Sequence, residues 1–138
     1  MSNMDEFNRI TAIVFAKLYE AFPQGIRLVV EDVADGDGSP DQNTIRNFDY
    51  AVRFLASEDF LKYTAESDEG LFFVEVTLTL KGLKILRSIP EALEEKESLG
   101  QRVTALVKGG SKEISKEALK AVVNQIILAA TSGHWWKG

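Results

Sequence analysis

Apolar positions along the chain follow first a helical and then a strand rhythm. Phe7, Ile10, Val14, Leu18 and Ala21 stand three or four residues apart, the spacing of one face of an α-helix. They predict a helix over residues 4–22 that Pro23 and Gly25 end. A short strand over Ile26–Leu28 and a small helix over Val29–Ala34 follow. Asp35-Gly36-Asp37-Gly38-Ser39-Pro40 is turn chemistry that also prepares the next helix, with Ser39 as N-cap, Pro40 in the first helical position and Gln42 closing a capping box. On that helix, from Pro40 to about Ala56, Ile45, Phe48, Val52 and Leu55 form a stripe expected to be buried. Gln42, Asn43, Arg46, Asp49, Tyr50 and Arg53 share the opposite face. The period then drops to two. Leu61, Tyr63 and Ala65 alternate with Lys62 and Thr64, and after Glu66-Ser67-Asp68-Glu69-Gly70 the residues Phe72, Val74, Val76 and Leu78 alternate with Phe73, Glu75 and Thr77. Two such runs around a glycine-containing turn predict a hairpin. Leu80, Leu83 and Leu86 give a last short helix before Pro90.

Beyond Pro90, Leu99, Val103 and Leu106 stripe a helix that Gly109-Gly110 stops, and Ser111 is placed to cap another running to about Thr131. In this last helix Val122, Ile126 and Ala129 centre an apolar face opposite Glu113, Lys116, Glu117 and Lys120. Ile127 and Leu128 fall on both flanks of the polar side. A helix end that is apolar all round needs burial from more than one direction. It either packs wholly on its own domain or forms the interface of a homodimer through Val122, Ile126, Ile127, Leu128 and Ala129.

Composition narrows the class. A chain of 138 residues, 45% apolar and 27% charged, has the size and balance of one soluble globular domain. With no cysteine there is neither a disulfide framework nor a thiolate nucleophile. Met1-Ser2-Asn3-Met4-Asp5-Glu6 lacks the basic and apolar regions of a secretory signal, and the apolar-rich run Ala118–Ala130 is too short to span a bilayer. The expected location is therefore cytoplasmic, with no membrane span. Lys108, Lys112, Lys116 and Lys120, with Trp135 and Trp136 behind them, resemble a membrane-surface stripe, but Glu113 and Glu117 dilute it.

No catalytic constellation stands out. Asp35, Asp37, Ser39, Asp41 and Asn43 imitate the alternating oxygen ligands of a calcium loop, yet Pro40 and Arg46 occupy the positions that need glycine and a bidentate glutamate. His134 is the sole histidine, in the tail Gly133-His134-Trp135-Trp136-Lys137-Gly138, and one histidine assembles no metal cluster. Neither a phosphate-binding glycine loop nor a nucleophile elbow nor a zinc-protease motif occurs. The expectation is a non-enzymatic protein without metal or cofactor.

Asn43-Thr44-Ile45-Arg46 leading to Phe54-Leu55, then Phe60-Leu61, the two-stranded ribbon and Leu78-Thr79-Leu80-Lys81-Gly82-Leu83, resembles the recognition helix, wing and closing helix of bacterial winged helix-turn-helix proteins. The resemblance covers about residues 4–87. It implies a mostly helical α+β fold: a winged helix-turn-helix domain over 4–87, a C-terminal helical extension over 88–131 and a tail over 132–138. It further implies a transcription-regulator-like binder of double-stranded DNA, with Gln42, Asn43, Arg46, Asn47 and Arg53 on the third helix and Lys62 on the wing as the contacts. Asn and Gln suit adenine edges and Arg suits guanine.

Charge departs from that pattern. Residues 26–86 carry six cations against twelve anions, and Glu66, Asp68 and Glu69 occupy the wing tip, where phosphate-binding wings carry Lys or Arg. The alternative is a winged-helix protein-protein interaction or dimerisation module without DNA binding.

Overall fold

A single helix at the centre organises the molecule. The computed structural model describes residues 3–34, 39–89, 97–109 and 116–131. Asp35 and Asp37, the Ser111 cap, Lys112, Glu113 and the tail with His134, Trp135 and Trp136 lie outside the described residues, as does the side chain of Lys116. Helix α1 (Asn3–Ala21) touches the sheet and most of the other helices. It buries far more than one stripe, because Thr11, Ala12, Phe15 and Ala16 join Ile10, Val14 and Leu18 in the interior. That breadth follows from its neighbours, since a helix covered on several sides buries more than one stripe and keeps only a narrow polar line with Glu6, Arg9, Lys17 and Glu20.

Strand β1 (Ile26–Val29) is one residue longer than its pattern predicts, and the expected helix over Val29–Ala34 shrinks to one 3-10 turn, Val30–Asp32. The cause is backbone pairing. Val29 stays extended opposite Phe72 and donates its N–H to the Asp32 carboxylate at 3.0 Å, while the Val30 N–H reaches the Leu71 carbonyl at 2.9 Å.

Helix α2 (Gln42–Ser57) starts later than expected, and Asp41 rather than Ser39 is its N-cap. The Asp41 carboxylate accepts the Thr44 N–H at 2.8 Å, which holds its pKa below the ordinary carboxylate value. An ionised oxygen there satisfies an otherwise unpaired N–H and is favoured by the positive end of the helix dipole. Phe48, Ala51, Val52 and Leu55 are the buried residues of α2, so Ala51 takes the place expected for Ile45, which is only partly buried.

The sheet is antiparallel, in the order β1-β4-β2, with β3 also beside β4. Its members are β2 (Leu61–Lys62), β3 (Ala65–Glu66) and the long strand β4 (Phe72–Leu78). A bulge breaks the single alternating phase read from β4. Ile26 faces Val76 but Leu28 faces Phe73, so two steps on β1 match three on β4, and Glu75 absorbs the extra residue at φ 52°. Beyond the bulge the inward side changes parity, and Phe73 is buried together with Val76 and Leu78, whereas Phe72 and Val74 are half-buried.

Helix α3 (Leu80–Arg87), capped by Thr79, closes the first part of the chain. Helices α4 (Leu99–Lys108) and α5 (Lys116–Thr131) then pack on α1 and on each other. Ser98 and Gln101 form a reciprocal capping box at the start of α4. Leu99, Val103, Leu119, Val122, Val123 and Ile126 continue the same core that holds Phe15, Phe48 and Phe73. Among the described residues no helix is long and apolar enough to cross a membrane.

Candidate functional site

The outward side of α2 carries two unlike regions, a clasp under the hairpin and an apolar groove. The clasp centres on Arg53. Its Nε donates to Asp49 Oδ1 one turn earlier at 2.7 Å, and its Nη1 lies 2.8 Å from Glu66 Oε2 on β3. The Tyr63 hydroxyl donates to the same Glu66 oxygen at 2.9 Å. Below them the Phe73 ring packs edge-on against Phe48 at 5.6 Å and Tyr63 at 4.9 Å, with the guanidinium 5.8 Å above it.

These contacts set the local electrostatics. Hydrogen bonding to Asp49, reinforced by Glu66, raises the pKa of Arg53. Burial first, and then the Glu66 hydrogen bond, pushes the Tyr63 phenol up. The hairpin turn rests on the same helix. Gly70 adopts φ +74°, and a Cβ there would come within 2.7 Å of the Asp49 carboxyl carbon, so glycine meets both a backbone and a space requirement. The hairpin end is thus fastened to α2 rather than projecting from it.

We expect the Arg53–Glu66 pair to be a measurable tie. A double-mutant cycle with Arg53→Met and Glu66→Gln should give a coupling of roughly 1 kcal/mol in urea melts, shrinking in high salt. Additive single mutants would show that the two side chains do not hold each other.

The groove lies further round α2. Asn3, Met4 and Phe7 of α1, Asn47, Tyr50, Ala51 and Phe54 of α2 and Ile127 of α5 line a space of about 390 Å³. Phe7 meets Phe54 edge-on at 5.8 Å. Met4, Tyr50 and Phe54 remain 62%, 64% and 48% exposed, which is unusual for side chains of this size gathered in one place.

The residues expected to read DNA have unlike surroundings. Gln42, Asn43 and Arg46 are exposed on the first turns of α2, Asn47 lines the groove, Arg53 is held in the clasp and Lys62 is exposed on β2. Those expected at a dimer interface also divide. Val122 and Ile126 are fully buried in the chain's own core, and Ala129 is partly buried. Ile127 and Leu128 point outward, with Ile127 in the groove. The division follows from α5 packing on α1 and α4, which uses the face that the apolar pattern centres on.

The sequence pattern puts Tyr50 on the polar face of α2 and assigns Phe54, Met4 and Phe7 to no site. A usable signal was present: Tyr50 and Phe54 are one turn apart on the side of α2 away from its core stripe. Among the described residues no group of three or more His, Cys, Asp or Glu side chains is placed to hold a metal ion. Searches against protein-family models, curated proteins and solved structures gave no match to the chain.

Proposed function

We propose that the chain is a non-enzymatic winged-helix interaction module whose α2 docks an apolar polypeptide segment instead of reading duplex DNA. The order helix, strand, short turn, helix, hairpin, helix supports the winged-helix reading. The observation that carries the docking function is the groove: aromatic and aliphatic side chains from three elements meet on the outer side of the helix that would otherwise enter DNA. Exposed aromatic residues around a concavity are the anchors of polypeptide recognition. Phosphates find no donors on Met4, Phe7 or Phe54.

Charge points the same way. Glu66, Asp68 and Glu69 lie on the hairpin end, where each close phosphate would cost about 1 kcal/mol at about 4 Å even in water. Arg53, the cation nearest that end of the helix, is already held by two carboxylates. A second reading, sequence-specific DNA binding, draws on the exposed Gln42, Asn43 and Arg46 at the start of α2.

Fluorescence anisotropy with labelled mixed-sequence duplexes at low salt separates the two. The docking reading expects no binding by the native chain, and none by a Glu66→Gln, Asp68→Asn, Glu69→Gln triple variant. Salt-dependent binding that Arg46→Ala weakens would overturn it in favour of DNA.

A further inference from the structure

The groove needs an occupant, and the sequence supplies one next to it. Ile127, in the groove wall, lies one turn before Thr131, the last residue of α5. The chain continues from there as Ser132-Gly133-His134-Trp135-Trp136-Lys137-Gly138. We propose that this tail docks in the groove of its own chain, with Trp135 and Trp136 as the anchoring side chains. The inference rests on the docking reading and names the segment that fills the site when no other polypeptide does.

Reach permits it. The last helical turn carries the chain about 6 Å past Ile127, while the four residues from Thr131 to Trp135 span up to about 13 Å when extended. Ser132 and Gly133, which follow Thr131 in the sequence, are residues of turn composition.

Chemistry matches as well. An indole buries a large apolar area and prefers edge-on or offset contact with other rings, which Phe7, Tyr50 and Phe54 offer. Its one N–H needs an acceptor, and the side-chain amides of Asn3 and Asn47 belong to the same lining. A volume of about 390 Å³ lies within the range of sites that enclose compact ligands.

The chain has two tryptophans, both in the tail, so intrinsic emission reports on this segment alone. The native chain should emit at the blue-shifted wavelength of buried indole, with acrylamide quenching several-fold weaker than in urea and independent of protein concentration. Ile127→Glu and Tyr50→Glu, both at exposed positions, should each shift emission to the red and restore strong quenching while far-ultraviolet circular dichroism stays native. Leu128→Glu, beside Ile127 but outside the groove lining, should change neither.

Solvent-exposed tryptophan emission from the native chain would overturn the inference and leave the docking reading standing. Emission that is blue-shifted but insensitive to both groove variants would also overturn it. Protection that grows with concentration would place the tail in a second copy instead. Duplex binding through Arg46 would remove the docking reading whatever the tryptophans do.

Discussion

Phe48→Ala should cost the protein roughly 3 to 5 kcal/mol of stability, whereas Tyr50→Ala, two residues away on the same helix, should cost under about 1 kcal/mol. Phe48 is wholly buried and Tyr50 is 64% exposed. The difference exceeds that of two isolated side chains, because Phe48 supports a stack. Its ring meets Phe73 at 5.6 Å, Phe73 meets Tyr63 at 4.9 Å, and the Arg53–Glu66 clasp lies above them. Removing Phe48 leaves a cavity beneath Phe73 and loosens the tie between α2 and the hairpin. Urea melts of both variants measure this directly. Equal losses would mean that the inward and outward faces of α2 are assigned the wrong way round.

The core stripes of α1, α2 and α4 and the existence of the hairpin are legible in the sequence because each is governed by a local period. Phe48, Val52 and Leu55 fall inward for the reason their spacing indicates. What escaped the sequence depends on contacts between distant segments. Nothing in the order Phe72 to Leu78 announces that Glu75 takes a left-handed conformation, yet that one residue decides that Phe73 turns inward. The second helix gave way to strand pairing between Val29 and Phe72, partners more than forty positions apart. The groove was hidden for the same reason, since Met4, Tyr50 and Ile127 share no local pattern and meet only after α1, α2 and α5 have packed. The apolar pattern of α5 leaves its own domain and a second copy both open, and packing on α1 and α4 buries Val122 and Ile126 within the chain while Ile127 and Leu128 stay outside.

Gly82→Ala offers a case in which local propensity and packing predict opposite signs. Within a helix, alanine is favoured over glycine by about 1 kcal/mol, so a view limited to α3 expects stabilisation. The surroundings reverse it. A Cβ on Gly82 would overlap the Phe60 carbonyl oxygen and touch the Leu78 side chain at 3.4 Å. Phe60 has little freedom to yield. Its carbonyl accepts the Thr79 N–H at 3.1 Å, the Thr79 hydroxyl both caps Gly82 and donates to the Asp59 carbonyl, and Lys81 Nζ donates to the Glu58 carbonyl at 2.9 Å. The first turn of α3 therefore lies flat against the backbone of residues 58–60, and a side chain at position 82 must lift it away. Lifting it strains the cap and uncovers Phe60 and Leu78, both buried. We expect Gly82→Ala to destabilise by about 3 kcal/mol once steric strain has overtaken propensity. Thermal and urea melts beside Lys84→Ala, an exposed change on the same helix, measure the effect against a surface substitution. A stabilised Gly82→Ala protein would mean that α3 does not rest on that segment.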